Sequence, residues 1–128
     1  MIDTLKEYIR MADCLEIQDK WDPKIGDWTN KGIVIDIHYY HPEGRWSVFT
    51  DQHTEGFGKS ELIWLPRQDQ LQGMYSNNLY TLLHDFDSWI SFHTDGSNKY
   101  KSMEQLWLAF VIWELHRKWW DGSAWWYQ

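Results

Sequence analysis

A chain of 128 residues fits one domain, and a domain of this length buries roughly two-thirds of the surface its unfolded form would expose. Its net charge of −7 argues against a nonspecific grip on phosphate backbones or acidic membranes, both of which need clustered Lys and Arg. A lone cysteine, Cys14, excludes an internal disulfide and a cysteine-based zinc site, and the longest apolar run, the eight residues from Leu106 to Trp113, is too short to span a bilayer.

The aromatic content is the unusual feature. Eleven Trp stand beside seven Tyr and five Phe. Each large ring buries about 150–250 Å², so a core this small cannot absorb them all. Some indoles are therefore expected on a groove, a rim or an interface. No basic segment followed by an apolar stretch opens the chain, which leads to the expectation of a soluble, cytoplasmic protein.

In chain order, Ile2, Leu5, Ile9 and Ala12 fall at helical spacing and predict a helix over residues 3–17, with Asp3 or the Thr4/Glu7 pair as its cap. Asp22-Pro23 breaks that pattern. Strand signals follow over residues 25–65. Ile33, Ile35, Ile37 and Tyr39 are expected on one face of a strand, with Asp36 and His38 on the other. His41-Pro42-Glu43-Gly44 reads as a turn, Arg45–Thr50 as the returning strand, 51–60 as a mobile loop, and Glu61–Leu65 as a short apolar strand. Helices are predicted over 67–74, over 79–92 with Asn78 as cap, and over 103–119 with Ser102 and Gln105 in capping-box register. Asp121-Gly122, flanked by Trp119-Trp120 and Trp125-Trp126, predicts a terminal hairpin. The fold class expected is α+β: a small antiparallel sheet of three to four strands packed with three to four helices.

Two strings are distinctive: Ile63-Trp64-Leu65-Pro66-Arg67-Gln68-Asp69-Gln70-Leu71-Gln72, and the run Ser102 to Glu114 followed by Trp120-Asp121-Gly122 and Trp125. With Lys24-Ile25-Gly26-Asp27-Trp28 they resemble a group of small proteins of bacteriophages and of prophage regions in Gram-positive bacteria, over about residues 24–126. The resemblance implies a phage-related origin and a setting inside the bacterial host cell. It brings no catalytic residues with it.

Local chemistry is sparse. His38 and His41 fall on opposite faces of a regular strand, and His84 and His93 lie about half a revolution apart on one helix, so neither pair makes a metal site. Asp85 and Asp87 diverge on their helix, as do Glu114 and His116. Cys14 lacks a nucleophile's context. Gly56-Phe57-Gly58-Lys59-Ser60 ends like a phosphate-binding loop, but position 53, where such a loop needs glycine, is His. No catalytic group, metal or cofactor is expected from these patterns.

The candidate interaction residues are Arg67, at a helix start where its fork could meet a carboxylate, and Trp119, Trp120, Trp125 and Trp126 of the terminal hairpin. The reading favoured is a non-enzymatic accessory protein that works through protein–protein contact. A second copy of the chain is an allowed partner, nucleic acid is disfavoured, and no membrane is involved. The alternatives are a small hydrolase with a site gathered from His84, Asp85 and Glu114, or a nucleic-acid role as an aromatic single-strand platform or an acidic mimic of DNA.

Overall fold

A computed structural model describes residues 5–40, 42–93 and 99–127. Among them lie a three-stranded antiparallel sheet, a two-stranded hairpin and five α-helices, so the fold is α+β. The chain gathers into two compact units, Met1–Pro66 and Arg67–Gln128. No helix among the described residues is long and apolar enough to cross a membrane.

The first unit opens with two short helices, α1 (Lys6–Ala12) and α2 (Leu15–Gln18), where the apolar spacing predicts one helix to residue 17. Its expected caps, Asp3 and Thr4, lie outside the described residues. The break falls at Asp13-Cys14, where Cys14 is fully extended. The Gln18 amide makes up for the lost helical bond by donating to the Ala12 carbonyl at 2.9 Å. The kink seals Tyr8, Met11, Ala12 and Ile17 in the core.

Strands β1 (Trp28–Thr29), β2 (Gly32–Tyr40) and β3 (Arg45–Thr50) pair in that order. The expected alternation in β2 is overturned midway. Val34 pairs with Thr50 and Asp36 with Phe49, so Ile35 is the extra residue of a bulge. A bulge reverses the parity of everything beyond it. Val34 therefore shares a face with Ile37 and Tyr39, opposite Thr50, Val48 and Trp46, whereas Ile35 is 54% exposed. Asp36 and His38 do share the other face, joined by a hydrogen bond at 3.1 Å. Of the turn expected between β2 and β3, His41 lies outside the described residues.

Residues 61–65 form no strand. A 3-10 turn, η1 (Lys59–Glu61), leads into an extended strap that touches the sheet through a single bridge, Thr29 to Trp64. Side chains supply the bonds that a full ladder would make. Gln18 clamps Trp64 at both backbone groups, each at 2.9 Å, and the Asn30 side-chain oxygen Oδ1 accepts from Ile63 N–H at 2.9 Å. Tyr8 ends the strap by donating to the Pro66 carbonyl at 2.6 Å. Beneath it the Trp64 and Trp21 rings lie nearly parallel, 6.3 Å apart, and the Trp21 indole donates to buried Asp27 at 2.9 Å.

Gly32 starts β2 at φ +117°, a region closed to other residues, and a Cβ there would lie 2.4 Å from the Asp51 carboxylate. That carboxylate accepts from Ile33 N–H at 2.9 Å. Gly32→Ala is expected to cost about 1–3 kcal/mol in a chemical denaturation curve, from backbone strain and displacement of Asp51 together. A loss below about 0.5 kcal/mol would show that the turn relaxes freely.

The second unit is built on α3 (Gln68–Tyr75), α4 (Leu79–His93) and α5 (Met103–His116). Asn78 caps α4 by accepting from Thr81 N–H at 3.0 Å, and Ser102 caps α5 by accepting from Gln105 N–H at 3.1 Å. The Gln105 amide oxygen returns the bond to Lys101 N–H, one residue upstream of the expected partner. α5 is apolar all round because its middle is sealed from Trp107 to Ile112. Phe86 lies flat on Trp107, with centroids 3.7 Å apart, and Phe110 meets the edges or faces of Phe86, Trp89, Trp107 and Tyr75.

Helix α5 ends at His116, three residues before the predicted end. Arg117 takes the left-handed conformation at φ 55°, and its N–H bonds back to the Trp113 carbonyl. A left-handed residue at that place closes a helix. Strands β4 (Lys118–Trp120) and β5 (Trp125–Tyr127) then form the expected hairpin.

Candidate functional site

The hairpin sorts its four indoles by strand alternation. Trp119 pairs directly with Trp126, and Trp120 with Trp125. Opposed residues share a face, so one Trp pair lies on each side. Trp120 is sealed, with its ring 5.1 Å from that of half-buried Trp125. Trp119 and Trp126, on the other side, are 44% and 53% exposed. The four candidate tryptophans therefore divide into a structural pair and a surface pair. Among the described residues, Trp21, Trp64, Trp89, Trp107 and Trp120 are buried, Trp28, Trp46, Trp113 and Trp125 are half-buried, and only Trp119 and Trp126 of the indoles are exposed. The surplus of indole over core is real, and it is concentrated on one face of the terminal hairpin.

Asp121 locks the turn. One of its oxygens accepts from Ser123 N–H at 2.7 Å and from Ala124 N–H at 2.8 Å, and the other accepts from the Trp126 indole at 2.6 Å. These donors, Ser123 first, hold its carboxyl down at about 2. A folded value below the ordinary one means the carboxylate stabilises the hairpin above about pH 4 and loses that effect as pH falls through its own value. The coupled-indole signal in circular dichroism is expected to persist to about pH 3 and to fade as pH approaches 2. Fading at the ordinary carboxylate pH would contradict this geometry.

Beside the hairpin the second unit holds a cavity of about 380 Å³. Trp89 and His93 reach it from α4, Ala109 and Trp113 from α5, Lys99 and Tyr100 from the segment between those helices, and Lys118 and Trp119 from β4. The His93 and Trp113 rings are 4.6 Å apart, and Trp89 lies 6.2 Å from Tyr100. Basic groups stand over several rings of this unit: Lys99 Nζ at 5.3 Å from the Trp119 centroid and 5.6 Å from that of Tyr100, Lys118 Nζ at 4.5 Å from Tyr127, and the Arg117 guanidinium at 5.2 Å from Trp113. Sequence reasoning missed this pocket. A signal was present, since Trp89/His93 and Ala109/Trp113 each stand four apart and thus on one helix face. Which two helices would bring those faces together was not written locally.

Arg67 is placed as the residue capping α3. Its backbone N–H donates to Gln70 at 2.9 Å, its side chain donates to Asp69 at 3.1 Å, and neighbouring Gln68 reaches Glu104 at 3.4 Å. The Arg67-Gln68-Asp69-Gln70 cluster thus serves local structure, and Arg67 lines neither cavity described here.

The residues of the hydrolase alternative do gather, around Tyr75. Tyr75 donates to Asp85 at 2.5 Å, and His84 meets the other Asp85 oxygen at 3.1 Å. The bond to Asp85 and, further down the order, the charge of Glu114 push the Tyr75 phenol up to about 12, while the Tyr75 and His84 bonds hold Asp85 low. A phenol so raised stays protonated at neutral pH and is no nucleophile. His84 is largely exposed, and none of these groups lines either cavity. The arrangement ties the end of α3 to α4.

The loop that resembles a phosphate cradle is pinned rather than open at both ends. Phe57 exchanges backbone bonds with Val48 at 2.7 and 2.8 Å, and Gly58 N–H donates to Glu61 at 2.7 Å. Its Lys59 lines a larger cavity of the first unit, about 720 Å³, together with Arg45, Asp13, Asp19, Trp21 and Trp46. With both charge signs on its wall, that cavity selects no ligand charge. The chain matches no protein-family model, no curated protein and no solved structure.

Proposed function

We propose that this is a phage- or prophage-related accessory protein of the bacterial cytoplasm that acts without catalysis, by holding a partner protein on the outer face of its terminal hairpin. The observation that carries the reading is the cross-strand pair Trp119 and Trp126, exposed side by side on a hairpin whose fold is secured by the other pair. Solvent-facing Trp is costly to leave bare and is favoured at the centre of interfaces. The phage-like strings supply the setting, and the titratable candidates supply no counter-argument, because Asp85, His84 and Tyr75 are engaged with one another.

The partner is an acidic segment bearing a bulky apolar side chain. Lys99 stands over Trp119, and the Asp121 carboxylate beside the pair is taken up by Ser123, Ala124 and the Trp126 indole, so the charge left open to a partner there is positive although the chain as a whole is acidic. The second unit carries five Lys and Arg against seven Asp and Glu, which leaves most of the surplus negative charge on the first.

Panning a random peptide library against the immobilised protein tests the reading. Enriched peptides are expected to pair Asp or Glu with a large apolar residue and to disappear when Trp119→Ser/Trp126→Ser is used as bait. Enrichment of the same peptides by that variant, or no enrichment at all, overturns it. A dimer in light scattering that the double variant abolishes would identify the partner as a second copy and replace the acidic segment.

A further inference from the structure

We propose that the aromatic cavity between α4, α5 and β4 binds a small, flat aromatic molecule that carries an anionic group. The inference goes beyond protein contact on the hairpin face and does not depend on it.

Size sets the ligand class first. About 380 Å³ lies in the range of small-molecule sites, which run from roughly 300 to 1,000 Å³. The walls set its shape. Trp89, His93 and Trp113 form a continuous run of rings, with His93 4.6 Å from Trp113 and 6.3 Å from Trp89. Tyr100 and Trp119 add two more ring surfaces, and Ala109 contributes only a methyl, which leaves room where a larger residue would fill the space. Flat π-faces of this kind favour a flat guest.

Charge sets the last requirement. The described lining residues include two lysines and no Asp or Glu. Lys99 is exposed and its ammonium lies over both Trp119 and Tyr100, so a cationic guest would meet a ring surface already occupied by positive charge. An anionic guest meets the reverse: the ammonium can swing to its charged group and release the ring faces for stacking. Nucleoside monophosphates and aryl carboxylates share this chemistry, a flat ring system with a nearby anion.

The test uses the full chain labelled with ¹⁵N at its indoles. It is titrated with adenosine monophosphate and with indole-3-acetate, each beside its neutral counterpart, adenosine or 3-methylindole. Saturable shifts are expected at the Trp113 and Trp119 Nε1–H signals with one anion or both, while Trp28 and Trp46 stay in place. Response to the nucleotide alone assigns a nucleotide ligand, and response to the carboxylate alone assigns an aryl acid. The neutral counterpart is expected to bind about tenfold more weakly, and Lys99→Gln combined with Lys118→Gln is expected to erase that preference. No saturable shift at millimolar ligand overturns the proposal. So does equal binding of the neutral counterparts, or a charge preference untouched in the lysine variant.

Discussion

Phe110→Ala is expected to lower the unfolding free energy by about 3–5 kcal/mol. Phe110 is fully buried at the middle of α5, and four rings surround it: Tyr75 at 5.0 Å, Phe86 at 5.4 Å, Trp107 at 5.6 Å and Trp89 at 5.8 Å between centroids. Removing the ring forfeits both its transfer from water and its edge-to-face contacts. It also leaves a hole that stiff aromatic neighbours cannot fill by small rotations. Total stabilities run to only about 5–15 kcal/mol, so the variant should sit at the brink of unfolding in urea followed by far-ultraviolet circular dichroism. Phe92→Ala is the control. Its ring is 83% exposed at the end of α4, and its loss is expected to stay within about 0.5 kcal/mol. Similar losses at the two positions would refute the packing described for the second unit.

The second large effect is on binding. Trp119→Ser/Trp126→Ser is expected to weaken partner binding by on the order of thirtyfold or more, the equivalent of about 2 kcal/mol, while the fold survives. The two effects separate because the hairpin divides its labour. Trp120 is sealed and rests against Trp125, so the variant keeps the structural pair and the Asp121 turn bonds to Ser123 and Ala124. It does lose the bond from the Trp126 indole to Asp121 and one cross-strand contact, which costs about 0.2–1 kcal/mol for the contact. Trp120→Ser makes the reverse exchange and is expected to unfold the hairpin. A binding loss that merely tracked unfolding would be accompanied, in the double variant, by loss of the Trp120–Trp125 dichroism.

How much of this was readable in advance depended on how local the cause was. Asn78, Ser102 and Asp121 announce themselves because a cap or a turn is made by a side chain and backbone two or three residues away. The first helix carries no such mark at its break. Asp13-Cys14 contains neither glycine nor proline, and what favours the kink is Gln18 reaching both Ala12 and a strap forty-six residues on. The bulge at Ile35 belongs to the same class, since Ile33, Ile35, Ile37 and Tyr39 alternate perfectly until the partner strand is known. Glu61–Leu65 has the composition of a strand yet finds one bridge, because the Gln18 and Asn30 side chains satisfy its backbone first.

For the site, composition said that indoles exceed the core, and strand parity in the hairpin says which ones do. Arg67 was legible as a polar cluster at a helix start, and the structure turns its fork onto Asp69 within that cluster. The lysine-rimmed pocket was the least legible part. It draws on α4, the segment before α5, α5 itself and β4, and no short window of sequence contains more than two or three of its walls.

The most direct measurement is the dissociation constant of the best enriched peptide for the native chain and for Trp119→Ser/Trp126→Ser, read by calorimetry at matched folding. Weakening by at least the stated factor, with the Trp120–Trp125 dichroism intact, is the expected result. Equal affinity for the two proteins would contradict the claim that the outward indole pair is where this protein meets its partner.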